Sequence, residues 1–182
     1  MEFSLSIAFT MKHNILITGP PGIGKTTLIM KLARNLADLR PVGFYTEEIR
    51  EGGTRVGFAL VDFAGVRRTL SHIDIKSRNR VGRYGVDVSA FEGFLRGIPF
   101  LGPDSQIIVI DEIGKMECMS SEFGELLKTL LDSQKPLVAT IAEKGEGLIA
   151  DTKKRRDVEI FAMTRMNRDS LLPVISGRIH SI

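Results

Sequence analysis

Cysteine is nearly absent: Cys118 is the single one in 182 residues. No disulfide can form within the chain, which fits a reducing compartment and a cytoplasmic protein. Three histidines, His13, His72 and His180, are scattered and make no metal-ligand spacing. No apolar run approaches the roughly 20 residues of a membrane span. The first ten residues are mostly apolar but lack the basic start and small-residue cleavage site of a secretory signal. Residues 1–10 therefore read as an N-terminal extension, either an extra edge strand or a tail, with Met11 as an alternative start. Charge of one sign is also lacking. Lys plus Arg number 25 against 22 Asp plus Glu, a net charge of +3, which does not demand a polyanionic partner. Basic residues do gather at Lys76, Arg78, Arg80 and Arg83, but Tyr84 is the one aromatic close by. A stacking surface for nucleic acid needs more, so nucleic acid is not the expected partner.

What is present suits one globular domain over residues 1–182, expected to be monomeric. A chain of this size buries roughly two-thirds or more of its unfolded surface, and 43% of its residues are hydrophobic. Short apolar runs at Asn14–Thr18, Gln106–Ile110, Pro136–Ala142 and Val158–Met163 read as buried strands. Helical composition lies between or after them, from Thr26, over Glu122–Leu131, over Glu146–Arg155, and from Arg168 with Asn167 as its cap. Strands alternating with helices imply a parallel α/β sheet. Two strand-like runs, Phe44–Arg50 and Arg55–Phe63, flank Gly52-Gly53 and read as an antiparallel hairpin, with Val66–His72 extending it. Residues 73–85 read as a loop, followed by a short helix from Asp87 to Phe94 capped by Asp87 or Ser89.

Between the first strand and the first helix lies Gly19-Pro20-Pro21-Gly22-Ile23-Gly24-Lys25-Thr26. It fits G-x-x-x-x-G-K-[ST], the phosphate-binding loop, in the strand–loop–helix context that the pattern requires. Glycine lets successive backbone N–H groups face one concave space, and the positive helix end adds to their pull on phosphate oxygens. Lys25 then stands near the β- and γ-phosphates, and the Thr26 hydroxyl is placed to ligate Mg²⁺.

A second motif follows the central apolar run. Ile107-Ile108-Val109-Ile110 leads into Asp111-Glu112, which puts the acids at the carboxyl end of a strand, where open α/β sheets build ligand sites. Asp111 is the natural second partner of the Mg²⁺, and Glu112 is suited to orient and polarise a water for attack on the γ-phosphate.

Four segments occur in order: the loop and its following Thr27, Gly-Phe-Tyr-Thr-Glu-Glu-Ile-Arg at 43–50, Tyr-Gly-Val-Asp at 84–87, and Asp-Glu-Ile-Gly-Lys-Met-Glu at 111–117. With Asn167-Arg168 and Leu171-Leu172-Pro173 they resemble the THEP-type nucleoside-triphosphatases, to which the animal cancer-related nucleoside-triphosphatase is similar. The resemblance runs from about Lys12 to Pro173. It implies a P-loop three-layer α/β/α fold of the additional-strand, catalytic-glutamate type. It also implies hydrolysis of ATP, GTP and other nucleoside triphosphates to diphosphate and phosphate, with loose base preference. The expected nucleotide-binding set is Gly19, Pro20, Pro21, Gly22, Ile23, Gly24, Lys25, Thr26 and Thr27, then Ile108, Val109, Ile110, Asp111, Glu112, Ile113 and Gly114, and Arg168 on the rim. Glu112 and Lys25 are the expected catalytic residues, and Thr26 and Asp111 the metal ligands.

Other candidates are read two ways. The run Lys153-Lys154-Arg155-Arg156 is a solvated face or a charge-neutralising lid, as a small-molecule or nucleoside kinase would need. Arg165 and Arg168 are further arginine candidates. Thr46, Glu47 and Arg50 are a lid over the nucleotide or ordinary polar strand residues. Lys115 and Glu117 form a local ion pair or a solvated turn, and Cys118 reads as a core or turn residue. A nucleotide-gated switch is the third functional class. Without a supplied arginine, turnover of about 10⁻⁴ to 10⁻² s⁻¹ is expected.

Overall fold

Alternating side chains sort the central strands onto two faces, and this alternation builds the three layers. A computed structural model describes residues 13–182; the expectation for residues 1–10 lies outside them. Strands β1 (Asn14–Thr18), β2 (Val42–Glu51), β7 (Ile108–Ile113), β8 (Leu137–Ile141) and β9 (Val158–Ala162) run parallel in the order β2-β7-β8-β1-β9. Ile15, Ile17, Ile107, Val109 and Val138 point to one face, where α1 (Lys25–Asn35) and α5 (Leu171–Ile179) cover them. Leu16, Ile108, Ile110, Leu137 and Ala139 point to the other, under α2 (Val88–Arg96), α3 (Ser121–Asp132) and α4 (Leu148–Lys153). Both faces are dry, which is why these strands carry continuous apolar runs.

The expected meander is present and goes further. β3 (Thr54–Asp62) pairs antiparallel with β2 and with β4 (Arg67–His72). The segment expected as a loop at 73–85 instead folds a small hairpin, β5 (Arg80–Val81) and β6 (Tyr84–Val86), that pairs with β4. The described residues thus form one nine-stranded sheet, β5-β6-β4-β3-β2-β7-β8-β1-β9. Two-residue and three-residue strands are too short to show a period, and the open edge of β4 supplies their pairing partner. At the junction of the two sheet halves, a Cβ on Gly43 would meet the Val109 carbonyl oxygen at 1.9 Å, so only glycine lets β2 lie this close to β7.

Helix starts follow their caps. The Asp87 carboxylate accepts from the Ala90 N–H at 2.9 Å, and the Ser120 hydroxyl accepts from Phe123 N–H at 3.0 Å. Caps of this kind are worth about 1 kcal/mol each. Asn167 does not cap α5, which starts at Leu171. Its side chain instead closes the preceding loop, accepting from Thr164 N–H at 2.7 Å and donating to the Ala162 carbonyl at 2.8 Å.

Candidate active site

Helix α1 begins without a side-chain cap and with no acid in its first turn. Its cap residue, Gly24, has φ 109°, and Gly22 has φ 75°, both in the region that a β-carbon disfavours. The first-turn amides of α1 are thus left for a ligand, at the positive end of an 11-residue helix. Lys25 folds over this loop. Its Nζ donates to the Gly19 carbonyl at 3.0 Å and stands 3.9 Å from Glu112 Oε2, with the side chain only 10% exposed.

Strand β7 reaches the same place from below. Its pairing with β8 slips between Ile110 and Ile113: three steps on β7 match two on β8, since Ile110 pairs with Ala139 and Ile113 with Ile141. A bulge of this kind re-aims the side chains it contains, and here it contains Asp111 and Glu112. Asp111 is 1% exposed and held by three hydroxyls. Thr26 Oγ1 donates to its Oδ2 at 2.7 Å, Thr46 Oγ1 to the same oxygen at 3.1 Å, and Thr140 Oγ1 to Oδ1. Ile108, Val109, Ile110 and Ile113 are fully buried between the helix layers, so their side chains support the acid pair from beneath and do not face the cleft. Gly114 packs against both Glu112 and Glu117: a Cβ there would meet their carboxylate oxygens at 3.0 and 2.9 Å.

Burial raises the Glu112 carboxyl above the usual range; Lys25 opposes the shift and Asp111 adds to it. Behind it, Glu117 is buried while Lys115 is exposed, so the two form neither the expected pair nor a solvated turn. Burial pushes Glu117 up to about 8, opposed chiefly by its own backbone N–H and raised further by Glu112 and Asp111. A buried neutral carboxyl with a folded value of about 8 and an ordinary value of 4.5 favours the fold below pH 4.5. That contribution is lost as pH rises through 8, and at about 1.4 kcal/mol per unit it amounts to a few kcal/mol. Thermal melts of wild type should therefore drop in Tm from about pH 5 to about pH 9. Glu117→Gln should flatten that slope; equal slopes in both proteins would refute it. Cys118, half-buried against the core, has its thiol pushed up to about 12 by burial and the neighbouring acids, as suits an unreactive side chain.

A cleft of about 720 Å³ opens over these groups, lined from the loop and α1 by Gly22, Lys25, Thr26 and Thr27, and from β7 by Glu112. The hairpin adds Thr46, Glu47, Glu48, Arg55 and Phe58. Thr46 and Glu47 therefore do face the phosphate loop, whereas Arg50 turns away to Glu48 and the Gly53 carbonyl. A neighbouring pocket of about 440 Å³ holds Arg168 with Gly22, Gly24, Lys31 and Leu172. In the run 153–156, Lys154 and Arg156 are exposed and the other two side chains are engaged away from the cleft. Lys153 donates to the carbonyls of Ala142 and Glu143, and Arg155 bridges Asp132 and Asp157. Asp157 in turn accepts from the buried Asn14 amide at 3.1 Å. Arg80 and Arg83 likewise spend their donors on backbone carbonyls.

Sequence reasoning missed Thr140 and Arg55. The signal for Thr140 was a hydroxyl interrupting the apolar run Leu137-Val138-Ala139-Thr140-Ile141 at the carboxyl end of the strand beside β7. Arg55 carried no signal of its own, because the cleft reaches it only through the hairpin register.

Open helix amides, a lysine arched over them and a threonine locked to a strand-end aspartate belong together in one class of protein, the P-loop nucleoside-triphosphate enzymes. Within that class the chain belongs to the nucleoside-triphosphatase family, whose model, described as NTPase, matches residues 14–176. It is 43% identical to the nucleoside-triphosphatase THEP1 of Thermotoga maritima over 159 residues, 87% of this chain and 90% of that one. It is 40% identical to the human cancer-related nucleoside-triphosphatase, over 94% of this chain and 98% of the relative. The crystal structure of THEP1 from Aquifex aeolicus superposes with a TM-score of 0.79 at 32% identity, covering 91% of this chain and 98% of that one. The solution structure of the human protein gives a TM-score of 0.79 at 38% identity, covering 93% and 98%.

Proposed function

We propose that this nucleoside-triphosphatase is a Mg²⁺-dependent hydrolase of ATP, GTP and other nucleoside triphosphates, acting as a monomeric single domain in the cytoplasm. The observation that carries the reading is the pairing of Thr26 with Asp111 at 2.7 Å, beneath Lys25 and beside Glu112. One hydroxyl and one carboxylate are the sparse, hard oxygen set that magnesium takes when phosphates complete its shell. The fit is chemical as well: among the described residues no cluster of three His, Cys, Asp or Glu competes as a metal cage. When bound, the ion would draw charge from the β- and γ-phosphate oxygens.

The remaining chemistry is the chain's own. Amides from Gly22 to Thr27 bind the phosphates, and Lys25 screens their charge. Glu112 orients a water in line with the γ-phosphorus and accepts its proton. The water oxygen bonds to phosphorus as the bond to the bridging oxygen breaks, and that electron pair stays on the β-phosphate. The proton then passes from Glu112 to the released phosphate. Burial raises the Glu112 carboxyl toward the working pH, which improves it as a proton acceptor.

What borders the loop supports the proposed loose base preference. Arg168 is an exposed guanidinium, and a guanidinium plane stacks on any base without reading its edge. A cytoplasmic setting fits a lone free cysteine. A kinase would need a lid; in the basic run 153–156, Lys153 is committed to carbonyls and Arg155 to carboxylates, and the cleft over the phosphate loop is lined by none of the four. The test is phosphate release from a panel of nucleoside triphosphates with Mg²⁺ and no added acceptor. Release should occur with every base within about tenfold and stop when EDTA removes the metal. Release from one base alone, or release that survives EDTA, would overturn the corresponding part.

A further inference from the structure

None of the arginines singled out by sequence lines the cleft over Lys25, Thr26 and Glu112; Arg168 lies in the neighbouring pocket. Of the residues lining the cleft with Lys25, Thr26 and Glu112, Arg55 is the one arginine. It stands at the base of the β2–β3 turn, opposite Arg50 in register. Its guanidinium is held on a built platform. Nη1 donates to Glu48 Oε1 at 2.8 Å and Nε to the Tyr84 hydroxyl at 3.1 Å. The plane lies over the Phe58 ring at 5.0 Å and near Tyr84 at 5.8 Å. Nη2 has no hydrogen-bond partner among the described residues. Glu48, for its part, binds Arg50 through its other oxygen, Oε2, at 2.9 Å from Nε. If Arg55 turns away from Glu48, that carboxylate keeps a cation.

We propose that Arg55 is a catalytic residue supplied in cis, an arginine parked on Glu48 and Tyr84 that turns to the γ-phosphate oxygens of the bound triphosphate. The proposal rests on the hydrolase reading above. As water attacks, negative charge builds on the γ-phosphate oxygens and on the departing bridging oxygen. Glu48 takes one arm of the fork, Nη1, whereas a γ-phosphate gathering charge presents two oxygens in guanidinium geometry, so the free arm can bond as well. Switch-type enzymes with an arginine in cis turn over at about 10⁻² s⁻¹, against about 10⁻⁴ s⁻¹ without one. Arg55 places this chain at the upper end of the range expected from sequence.

The experiment compares wild type, Glu112→Gln, Arg55→Ala and Arg55→Lys, all in full-length protein. It reads kcat with ATP and Mg²⁺, Kd for ATP from a fluorescent analogue, and binding of ADP with aluminium fluoride, a mimic of the transferring phosphoryl group. Arg55→Ala should lose about tenfold to hundredfold in kcat, keep ATP affinity within a few-fold, and lose the aluminium fluoride complex. Added guanidinium ion at millimolar concentration should restore part of the turnover. Unchanged kcat would overturn the proposal. So would parallel losses of ATP affinity and kcat, which mark a ground-state contact. If Arg55→Ala does not fold, Arg55→Lys is judged by the same two criteria. A wild type that releases no phosphate overturns the hydrolase reading and Arg55 with it, whereas an unimpaired Glu112→Gln overturns only Glu112 as water activator and leaves Arg55 to be judged by its own variants. Active wild type, inactive Glu112→Gln and unimpaired Arg55→Ala overturn Arg55 alone.

Discussion

Glu112→Gln should lower phosphate release by about 10²- to 10⁴-fold, the usual worth of a positioned acid–base group. The amide keeps the shape and can still hold a water, but it cannot accept that water's proton. Affinity for Mg·ATP should stay within a few-fold or tighten, because the substitution removes a negative charge from the cleft proposed to take the triphosphate. The pH profile adds an independent readout. Burial lifts the Glu112 carboxyl above its ordinary value, so wild-type kcat/KM should fall on the acid side at a pH higher than a solvent-exposed glutamate would give. In Glu112→Gln that acid limb should vanish. Single-turnover phosphate release alongside equilibrium binding separates the two effects. An unimpaired variant would remove Glu112 from the role of water activator.

Lys25→Ala should have the opposite signature, weakening both binding and turnover. Lys25 is the cation that lies within the loop itself, 3.0 Å from the Gly19 carbonyl and largely buried. Losing a charged hydrogen bond to phosphate costs about 1.5–3 kcal/mol, or roughly 10- to 150-fold in Kd. Turnover should fall further than Kd, since negative charge moves toward the leaving oxygen during transfer and the lysine no longer answers it. Thermal melts give a second check. Saturating Mg·ATP should raise the wild-type Tm and should raise that of Lys25→Ala much less at the same concentration. Equal shifts in both proteins would show that the lysine does not hold the nucleotide.

The parallel core was legible because its strands are buried on both faces. Ile108–Ile110 and Leu137–Ala139 are apolar at every position, and such runs are easy to see. The phosphate loop and the acid pair were legible because each is local, with neighbours in sequence doing the work. Parts with short or borrowed structure were not. The β5–β6 hairpin is made of pieces too short to show a period, and it forms against an edge that β4 offers. Asn167 has the side chain of a helix cap, but Thr164 and Ala162 compete for it, and the loop wins. The basic run 153–156 read equally as a solvated face or a lid because sequence cannot show that Ala142, Asp132 and Asp157 lie within reach of Lys153 and Arg155.

By itself, then, the sequence determined the class of chemistry: a loop shaped for phosphate, a lysine and threonine fixed beside it, and two acids at a strand end. Contacts across long separations were decided only by the tertiary structure. Asp111 meets Thr26 across 85 residues and Thr46 across 65, and Arg55 rests on Tyr84 across 29. The reason is physical. A motif's meaning depends on backbone geometry that neighbouring residues set together, whereas which distant side chains share a cleft depends on strand order, register and one bulge, and none of these is written in any single stretch of chain.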